Sequence, residues 1–328
     1  MATQIFIDGQ EGTTGLQIEE RLRGRSDIEL LEIAPEARKD PRAKRAILEQ
    51  AEIAILCLPD AAAVETASLS PARTRLLDAS TAHRVHPDWA YGLPELSPAT
   101  RTQIRKAARV ANPGCWPTGF LLLVRPLIDA GLLPRSYPLS CHGQSGYSGG
   151  GKKLIAAYQA RARVGDSPEW AARPYGFNLQ HKHLAEMTRY SGLDSAPIFS
   201  PSVGDYYQGM LVHVPLHTRA LAPQAGLEQI HALLAQRYAG EAFVRVRPVN
   251  DESALDGGYL DATARNGSNL IDLFVFGHRD QVLLSARLDN LGKGAAGAAV
   301  QNLNVMLGLP EQLSLDSGPQ PGQGGAAR

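Results

Sequence analysis

The fold is decided first by residues 4–22, which read QIFIDGQEGTTGLQIEERL. Gln4–Asp8 is a short β-rich run that ends at a glycine, and the apolar residues Leu16, Ile18 and Leu22 are then loosely spaced as on a helix. A strand, a glycine-rich turn and a helix in this order are typical of a dinucleotide-binding βα unit. The glycines let the backbone approach a pyrophosphate, which the helix N-terminus stabilises.

The turn between these elements is therefore the predicted cofactor site, formed by Gly9, Gly12, Thr13, Thr14 and Gly15. Its spacing is G-x-x-G-x-x-G, a variant of the more specific G-x-G-x-x-G pattern. A plain tight turn from strand to helix is the alternative that this spacing leaves open.

Outward from this unit, the chain continues to alternate between strand-like and helical stretches. Strands are predicted at 28–34, 53–58, 76–78 and 109–111, which favours a doubly wound parallel sheet of the Rossmann type. Pro113 and Gly114 interrupt the pattern. A helix over 115–133 and longer strands at 209–216, 243–248 and 270–277 then predict an α+β domain with a largely antiparallel sheet. A final helix is expected at 295–307, and the Gly/Pro/Gln-rich residues 314–328 are expected to be a disordered tail.

Composition excludes several classes of protein. The 328 residues carry 33 basic and 33 acidic side chains, so no net field attracts nucleic acid or an anionic membrane. No apolar run approaches the length of a membrane span, and no signal peptide is visible. Three cysteines are too few for a disulfide scaffold and favour a reducing compartment. We therefore expect a cytoplasmic enzyme of small molecules, without nucleic-acid or membrane partners.

Cys115 is the most informative single residue. It lies in Asn112-Pro113-Gly114-Cys115-Trp116-Pro117-Thr118, a turn that leads into a helix. A thiolate is favoured at the positive end of a helix dipole, which makes Cys115 the predicted nucleophile. Cys57 lies in an apolar strand and Cys141 precedes a histidine, so both are interpreted as structural cysteines.

A nucleophilic cysteine needs a partner that transfers protons, and His181 and His183 are the candidates. Histidines two residues apart can also bind a metal, but no third ligand stands at a suitable spacing, so no metal is expected. The other seven histidines are interpreted as structural or exposed.

Three further stretches are typical of sites rather than scaffold. Residues 78–84, DASTAHR, follow a strand end, where open parallel sheets place their ligands. Residues 145–152, SGYSGGGK, form a loop able to cradle a phosphate, with a flexible linker as the alternative. Residues 289–294, DNLGKG, open the final helix and form either an anion site or a well-capped helix start.

The loop after the second strand indicates the type of cofactor. NAD sites offer an acidic residue to the ribose hydroxyls, whereas NADP sites offer Arg or Lys to the 2′-phosphate. This loop holds Glu36 as well as the adjacent cations Arg38 and Lys39. The two cations favour NADP, with Arg38 as the contact.

Together these segments resemble the shorter, second-type branch of the N-acetyl-gamma-glutamyl-phosphate reductase family, from Gln4 to about Pro310. NPGCWPT at 112–118 is the most specific match. The glycine turn, DASTAHR, YGLPEL at 91–96, SGYSGGGK, QHKHLAE at 180–186 and DNLGKGAAGAAVQN at 289–302 support it in the family's order. Ala185 stands where the family often has proline, and Gly150 where alanine is common.

The resemblance implies a Rossmann-like NADP-binding domain of residues 1–114 plus 291–313. A catalytic and oligomerisation domain would comprise residues 115–290, in a homodimer or homotetramer. It also implies NADPH-dependent reduction of an acyl phosphate to a semialdehyde through a Cys115 thioester, in arginine biosynthesis. His181 or His183 would be the acid/base, with His183 preferred and Glu186 beside it. The implied cofactor contacts add Ser145, Gly146 and Asn290, and Ser80 and Arg84 are the expected substrate contacts, since a guanidinium suits a phosphate or carboxylate.

Two alternatives stay open at this stage. A carrier-protein-linked acyl phosphate could replace the free metabolite, although no concentrated basic patch for an acidic carrier is visible. The chain could also be an NADP-binding redox sensor that turns nothing over, against which the intact His181-Lys182-His183 segment argues.

Overall fold

The structure is a computed structural model that describes residues 2–38, 40–162, 170 and 172–315. Its strands are β1 Thr3–Asp8, β2 Ile28–Leu31, β3 Ile53–Leu56, β4 Arg75–Asp78, β5 Ala90–Tyr91, β6 Arg109–Ala111, β7 Ser140–Gly146, β8 Arg173–Pro174, β9 Ile198–Gly204, β10 Met210–His217, β11 Val244–Val246, β12 Ile271–His278 and β13 Gln281–Leu288. Its α-helices are α1 Thr13–Leu22, α2 Pro41–Gln50, α3 Asp60–Leu69, α4 Thr100–Lys106, α5 Cys115–Asp129, α6 Gly151–Ala162, α7 Leu184–Ser191, α8 Leu227–Arg237 and α9 Gly297–Leu307. A π-helical turn, Gly292–Ala296, precedes α9.

The chain divides into two compact units. Unit 1 comprises residues 1–114 and 295–314, and unit 2 contains residues 115–294. The predicted disordered tail falls almost entirely on residues 316–328, which lie outside the described residues, as does Lys39.

Unit 1 is built on a parallel sheet, which in the described residues has six strands in the order β2-β1-β3-β4-β6-β5. The doubly wound parallel sheet expected from the sequence is confirmed. The predicted helix is present as α1: Ile18 and Leu22 are buried, whereas Leu16 is exposed and Gly15 takes the third buried position. Because Gly15 has no side chain, the helix can lie close to the glycine turn.

Helix α9 belongs to unit 1 and carries buried polar side chains. The Asn302 Nδ2 atom donates to the carbonyl oxygen of Gly92 at 2.7 Å and to Asn112 Oδ1 at 2.9 Å. Gln301 Nε2 donates to Glu95 Oε1 at 2.9 Å. Buried amides are stable only when they are hydrogen-bonded, so these pairs fix the register of α9 on the loops after β5 and β6.

Unit 2 is built on a mixed sheet, which in the part of the chain described here has seven strands in the order β11-β12-β13-β10-β7-β9-β8. Alternate residues of β10, from Met210 to Leu216, are buried against α5, and Gly119 of α5 lies so close that an added Cβ would be 2.8 Å from Val212 Cγ2. The helix ends at Asp129 rather than at the expected residue 133. Pro126 lacks an N–H for the Leu122 carbonyl, and the Tyr238 hydroxyl donates to that oxygen at 2.7 Å instead.

Among the described residues, no helix is long and apolar enough to cross a membrane.

Candidate active site

Cys115 is the first residue of α5 and is partly exposed. The buried Trp116 anchors this helix start, with its ring centroid 5.2 Å from that of Phe199 in an edge-on arrangement. Proline at position 117 is compatible with the first helical turn, where the N–H groups have no intrahelical partner. The nucleophile predicted from the sequence therefore lies at a rigid helix N-terminus, where a negative charge is favoured.

Tyr175 is a residue of this region that the sequence did not reveal. Its hydroxyl hydrogen-bonds with the side chain of Trp116, and because an indole N–H only donates, the phenolic oxygen accepts. Burial raises the pKa of Tyr175, and the neighbouring Cys115 raises it further. Tyr175 thus stays protonated beside the nucleophile. Because Tyr175 is distant from Cys115 in the sequence, no local motif could have identified it.

His181 lies beside Tyr175, with ring centroids 5.8 Å apart, and edge-on to Phe199 at 5.1 Å. Burial lowers the pKa of His181 to about 4, and the charge of His183 contributes in the same direction. The backbone N–H of His183 donates to His181 Nδ1 at 3.2 Å. A neutral imidazole that accepts at Nδ1 carries its proton on Nε2, so His181 is a hydrogen-bond donor at neutral pH.

His183 has a different environment, although the two rings are only 4.8 Å apart. Its Nδ1 lies 2.7 Å from Oε1 of Glu186, and both side chains are buried. Since a carboxylate accepts, Nδ1 carries the proton, which makes Nε2 the acceptor nitrogen of the neutral ring. Glu186 reaches His183 because it stands three residues later, in the first turn of α7.

Unit 2 therefore brings together three side chains that the sequence predicted and one that it did not. The predicted ones are the Cys115 thiol, a neutral imidazole donor at His181 and a carboxylate-oriented imidazole at His183, and the new one is the Tyr175 hydroxyl. Such a set is suited to nucleophilic attack on a carbonyl, with one group to transfer a proton and another to stabilise an oxyanion. Within the described residues there is no group of three or more metal-ligating His, Cys, Asp or Glu side chains.

Unit 1 contains the predicted nucleotide turn. Gly9 has φ +89°, and a Cβ there would lie 2.3 Å from the carbonyl oxygen of Cys57, which follows β3. A Cβ on Gly15 would lie 2.5 Å from the Gly9 oxygen. No side chain caps α1 at Gly12. The turn is thus a close backbone cradle with a helix N-terminus behind it, which fits a pyrophosphate group.

Arg38 forms an ion pair with Glu11 of the same turn. This ion pair places the guanidinium beside the glycine turn, and its contact with the ribose or its phosphate remains a prediction. Lys39, the second predicted cation, is outside the described residues.

The predicted substrate residues Ser80 and Arg84 are also in unit 1, and both are buried. Ser80 Oγ donates to Asp78 Oδ2 at 2.7 Å, and Arg84 Nε donates to the Asn112 carbonyl oxygen at 2.9 Å. Asp78 further holds Nδ1 of His83 at 2.6 Å. These bonds tie residues 80–84 to the ends of β4 and β6. Their contact with substrate remains a prediction.

The remaining predicted cofactor residues, Ser145, Gly146 and Asn290, lie in unit 2. The Asn290 side chain is engaged at both ends: its Nδ2 donates to Ser148 Oγ at 2.9 Å, and its Oδ1 accepts from the Gly209 N–H at 2.8 Å. Ser145 Oγ donates to the Gly146 carbonyl at 3.2 Å. Asn290 thus fixes the loop after β7, and a role of this cluster in cofactor binding also remains a prediction.

Comparison with known proteins identifies the family. Residues 115–290 match the family model described as the semialdehyde dehydrogenase dimerisation domain. N-acetyl-gamma-glutamyl-phosphate reductase 2 of Nostoc sp. (strain PCC 7120) is 52% identical over 318 residues, which covers 95% of this chain and 99% of that protein. This chain belongs to the N-acetyl-gamma-glutamyl-phosphate reductase family. A member of the same family from Brucella ovis is 50% identical over 315 residues, covering 94% of this chain and all of that one.

Solved structures support the fold of this reductase family member. Aspartate semialdehyde dehydrogenase II of Vibrio cholerae matches 94% of the chain and 98% of its own length, with a TM-score of 0.70 at 17% identity. A probable aspartate-semialdehyde dehydrogenase from Pseudomonas aeruginosa gives a TM-score of 0.71 at 13% identity, over 94% of this chain and 99% of its own. The resemblance to the reductase family that NPGCWPT and the accompanying segments indicated is confirmed.

Proposed function

We propose that this chain reduces N-acetyl-L-glutamyl 5-phosphate to N-acetyl-L-glutamate 5-semialdehyde and phosphate with NADPH, as a step of arginine biosynthesis. The observation that carries the proposal is the set of Cys115, Tyr175, His181 and the His183–Glu186 pair in unit 2. The proposed substrate is taken from the names of relatives that are 50–52% identical to this chain.

The first half of the reaction forms a thioester. His183 Nε2 takes the proton of the Cys115 thiol, and Glu186 stabilises the resulting imidazolium through Nδ1. The thiolate attacks the carbonyl carbon, a C–S bond forms, and the C–O bond to phosphate breaks. The imidazolium gives its proton to the departing phosphate oxygen, so His183 ends neutral.

The second half reduces the thioester. When bound, NADPH supplies the hydride that converts the thioester carbonyl to the level of an aldehyde. The Nε2–H of His181 donates to the oxygen that becomes negative at this stage, because His181 stays neutral at pH 7. Collapse of that oxyanion expels the Cys115 thiolate and releases the semialdehyde. The thiolate then takes up one proton from the solvent, which restores the thiol for the next turnover.

The cofactor would be held by the backbone cradle of Gly9, Gly12, Thr13, Thr14 and Gly15, with the 2′-phosphate on Arg38. Ser145, Gly146 and Asn290 are the further cofactor residues of the proposal, and Ser80 and Arg84 its substrate residues. The proposal assigns residues 1–114 with 291–313 to NADP binding, and 115–290 to catalysis and oligomerisation, although the compact unit 1 resumes only at residue 295.

The test uses Cys115→Ser. Mixing wild-type protein with acyl phosphate in the absence of NADPH should release about one phosphate per active site, and the variant should release none. NADPH-dependent turnover should fall by about a thousandfold or more. The matched control is Cys141→Ala, which removes a buried thiol from β7 and should keep turnover. Full activity of Cys115→Ser would exclude the thioester mechanism.

The same assay separates the alternatives. A carrier-protein-linked acyl phosphate as substrate predicts faster turnover of the carrier-linked than of the free form. A redox sensor predicts NADPH binding with no phosphate release at all.

The matched dimerisation domain supports an oligomer. Whether it is a homodimer or a homotetramer is measured by light scattering on the purified protein. A cytoplasmic location, with no nucleic-acid or membrane partner, completes the proposal.

A further inference from the structure

The segment Asp289–Gly294 packs directly against the nucleophile. A Cβ added to Gly294 would lie 2.7 Å from the Cβ of Cys115 and 3.3 Å from its Cα. Side-chain carbons do not approach one another this closely, so only glycine leaves Cys115 in its place. The backbone of Gly294 therefore forms a wall that limits where the Cys115 side chain can rotate.

Several contacts hold this wall in position. The Gly294 N–H donates to the carbonyl oxygen of Asp289 at 2.9 Å. A Cβ on Gly292 would lie 2.3 Å from the Ser268 carbonyl oxygen, so the chain is tightly enclosed here too. Lys293, between the two glycines, is fully buried with its Nζ 5.6 Å from the ring centroid of Phe243. The π-helical turn that begins at Gly292 places both glycines against their neighbours.

Asp289 organises the start of the segment. Its carboxylate is fully buried and accepts three hydrogen bonds: from the Leu291 N–H at 2.8 Å, the Gly267 N–H at 2.8 Å and Gln208 Nε2 at 2.7 Å. The hydrogen bond from the Leu291 N–H closes a tight turn at the start of the segment. The bonds from Gly267 and Gln208 join this turn to the loops that contain those residues. A buried carboxylate with three donors is costly to disturb.

We propose that Asp289 is a positioning residue for Cys115, which it fixes through the Gly292–Gly294 backbone. This inference rests on the proposed role of Cys115 as nucleophile. Asp289 does not itself touch the reacting atoms. The wall keeps Sγ at the N-terminus of α5, where the thiolate is favoured and the attack geometry is set.

The experiment compares Asp289→Asn and Gly294→Ala with two controls in unit 2. Asp251→Asn alters a similar carboxylate, which accepts from the Ser253 N–H at 3.1 Å. Gly226→Ala adds a Cβ that meets only the flexible end of Gln229 at short range. Each protein is assayed for kcat, for KM of the acyl phosphate, and for the rate at which iodoacetamide alkylates Cys115 between pH 6 and pH 9.

We expect Asp289→Asn and Gly294→Ala to lower kcat by about tenfold to a hundredfold, with KM changed less than about threefold. Alkylation of Cys115 at pH 7 should slow by about threefold or more, because Sγ leaves the helix N-terminus. Both controls should match the wild type. Folded variants whose kcat and alkylation rate stay within about twofold of the wild type would overturn the proposal.

Gln208→Ala decides the question if either variant fails to fold. It removes one of the three hydrogen bonds of Asp289 from a half-buried side chain, so the fold should persist. We expect an intermediate slowing of alkylation, and an unchanged rate would overturn the proposal. Because alkylation needs no substrate, it reports on positioning even if the proposed reaction is wrong.

Discussion

Nδ1 of His183 lies 2.7 Å from Oε1 of Glu186, and this contact distinguishes the two histidines of the site. The Nδ1 atom of His181 instead accepts a hydrogen bond from the backbone N–H of His183 at 3.2 Å. A buried carboxylate orients its imidazole and stabilises the charged form that arises when the ring takes a proton. This contact supports the proposed roles, in which the His183–Glu186 pair transfers the proton and His181 is the neutral donor.

The first prediction concerns Glu186→Gln. The amide keeps the size of the side chain but no longer holds the proton on Nδ1 of His183. The ring can then adopt the tautomer with its proton on Nε2, which cannot accept the thiol proton, so we expect kcat to fall by about tenfold to a hundredfold. Phosphate release in single turnover should slow equally, and KM should change little. Glu228→Gln is the control, since Glu228 also stands in the first turn of a helix but is exposed. Normal phosphate release in Glu186→Gln would contradict the assignment.

The second prediction separates donation from proton transfer at His181. Because the pKa of His181 is lowered to about 4, mainly by burial, its ring is neutral throughout the working range. A neutral amide can replace a neutral donor, so His181→Gln should keep about ten times more activity than His181→Phe. At His183 the same pair of substitutions should be equally inactive, because an amide cannot transfer a proton. Stopped-flow reduction of the thioester measures the His181 variants, and single-turnover phosphate release measures the His183 variants. Equal loss in the two His181 variants would refute the donor role.

The sequence alone was sufficient for the elements whose signal is local. The β1 run, the glycine turn and the Asn112–Thr118 segment each carry their chemistry within a few residues, and the structure has strand, turn and helix there. Glu186 is three residues from His183, so their pairing follows from helical spacing.

Contacts between distant segments were beyond the sequence. Tyr175 contacts Trp116, which stands 59 positions earlier in the chain, and Gly294 contacts Cys115 across an even longer separation. The hydrophobic pattern contains no information on such pairs. The exposure of Leu16 was beyond the sequence for a related reason: the buried position on α1 belongs to its neighbour Gly15, which packs against the Gly9 backbone.

The third prediction concerns the choice of cofactor. Arg38 forms an ion pair with Glu11, and a 2′-phosphate would compete for the same guanidinium. We expect Arg38→Ser to weaken NADP⁺ binding by about tenfold or more while NAD⁺ binding changes little. Fluorescence titration with each dinucleotide measures this without any substrate. Arg42→Ser, an exposed arginine at the start of α2, should leave both affinities unchanged, and equal weakening of NAD⁺ by Arg38→Ser would contradict the contact.

The last prediction concerns stability in acid. Burial lowers the pKa of His213 to about 4, and the neighbouring His142, with its ring centroid 5.3 Å away, lowers it further. The Ser285 hydroxyl lies 2.8 Å from Nδ1 of His213. An unfolded chain has an ordinary histidine pKa near 6.5, so as pH falls from about 6.5 to 4 the unfolded state takes up the proton first. The folded state therefore loses stability across this window, by about 1–3 kcal/mol for this group at its lower end.

His213→Gln removes the titrating group and should reduce the loss of Tm between pH 7.5 and pH 5 by a few degrees, about 2–4 °C for each kcal/mol. His278→Gln at the exposed end of β12 is the matched control and should leave the pH dependence unchanged. His181 titrates in the same direction, so some acid sensitivity should persist in the His213 variant. An unaltered difference in Tm for His213→Gln, measured by calorimetry at equal protein concentration, would show that this histidine is not buried as neutral imidazole in the protein in solution.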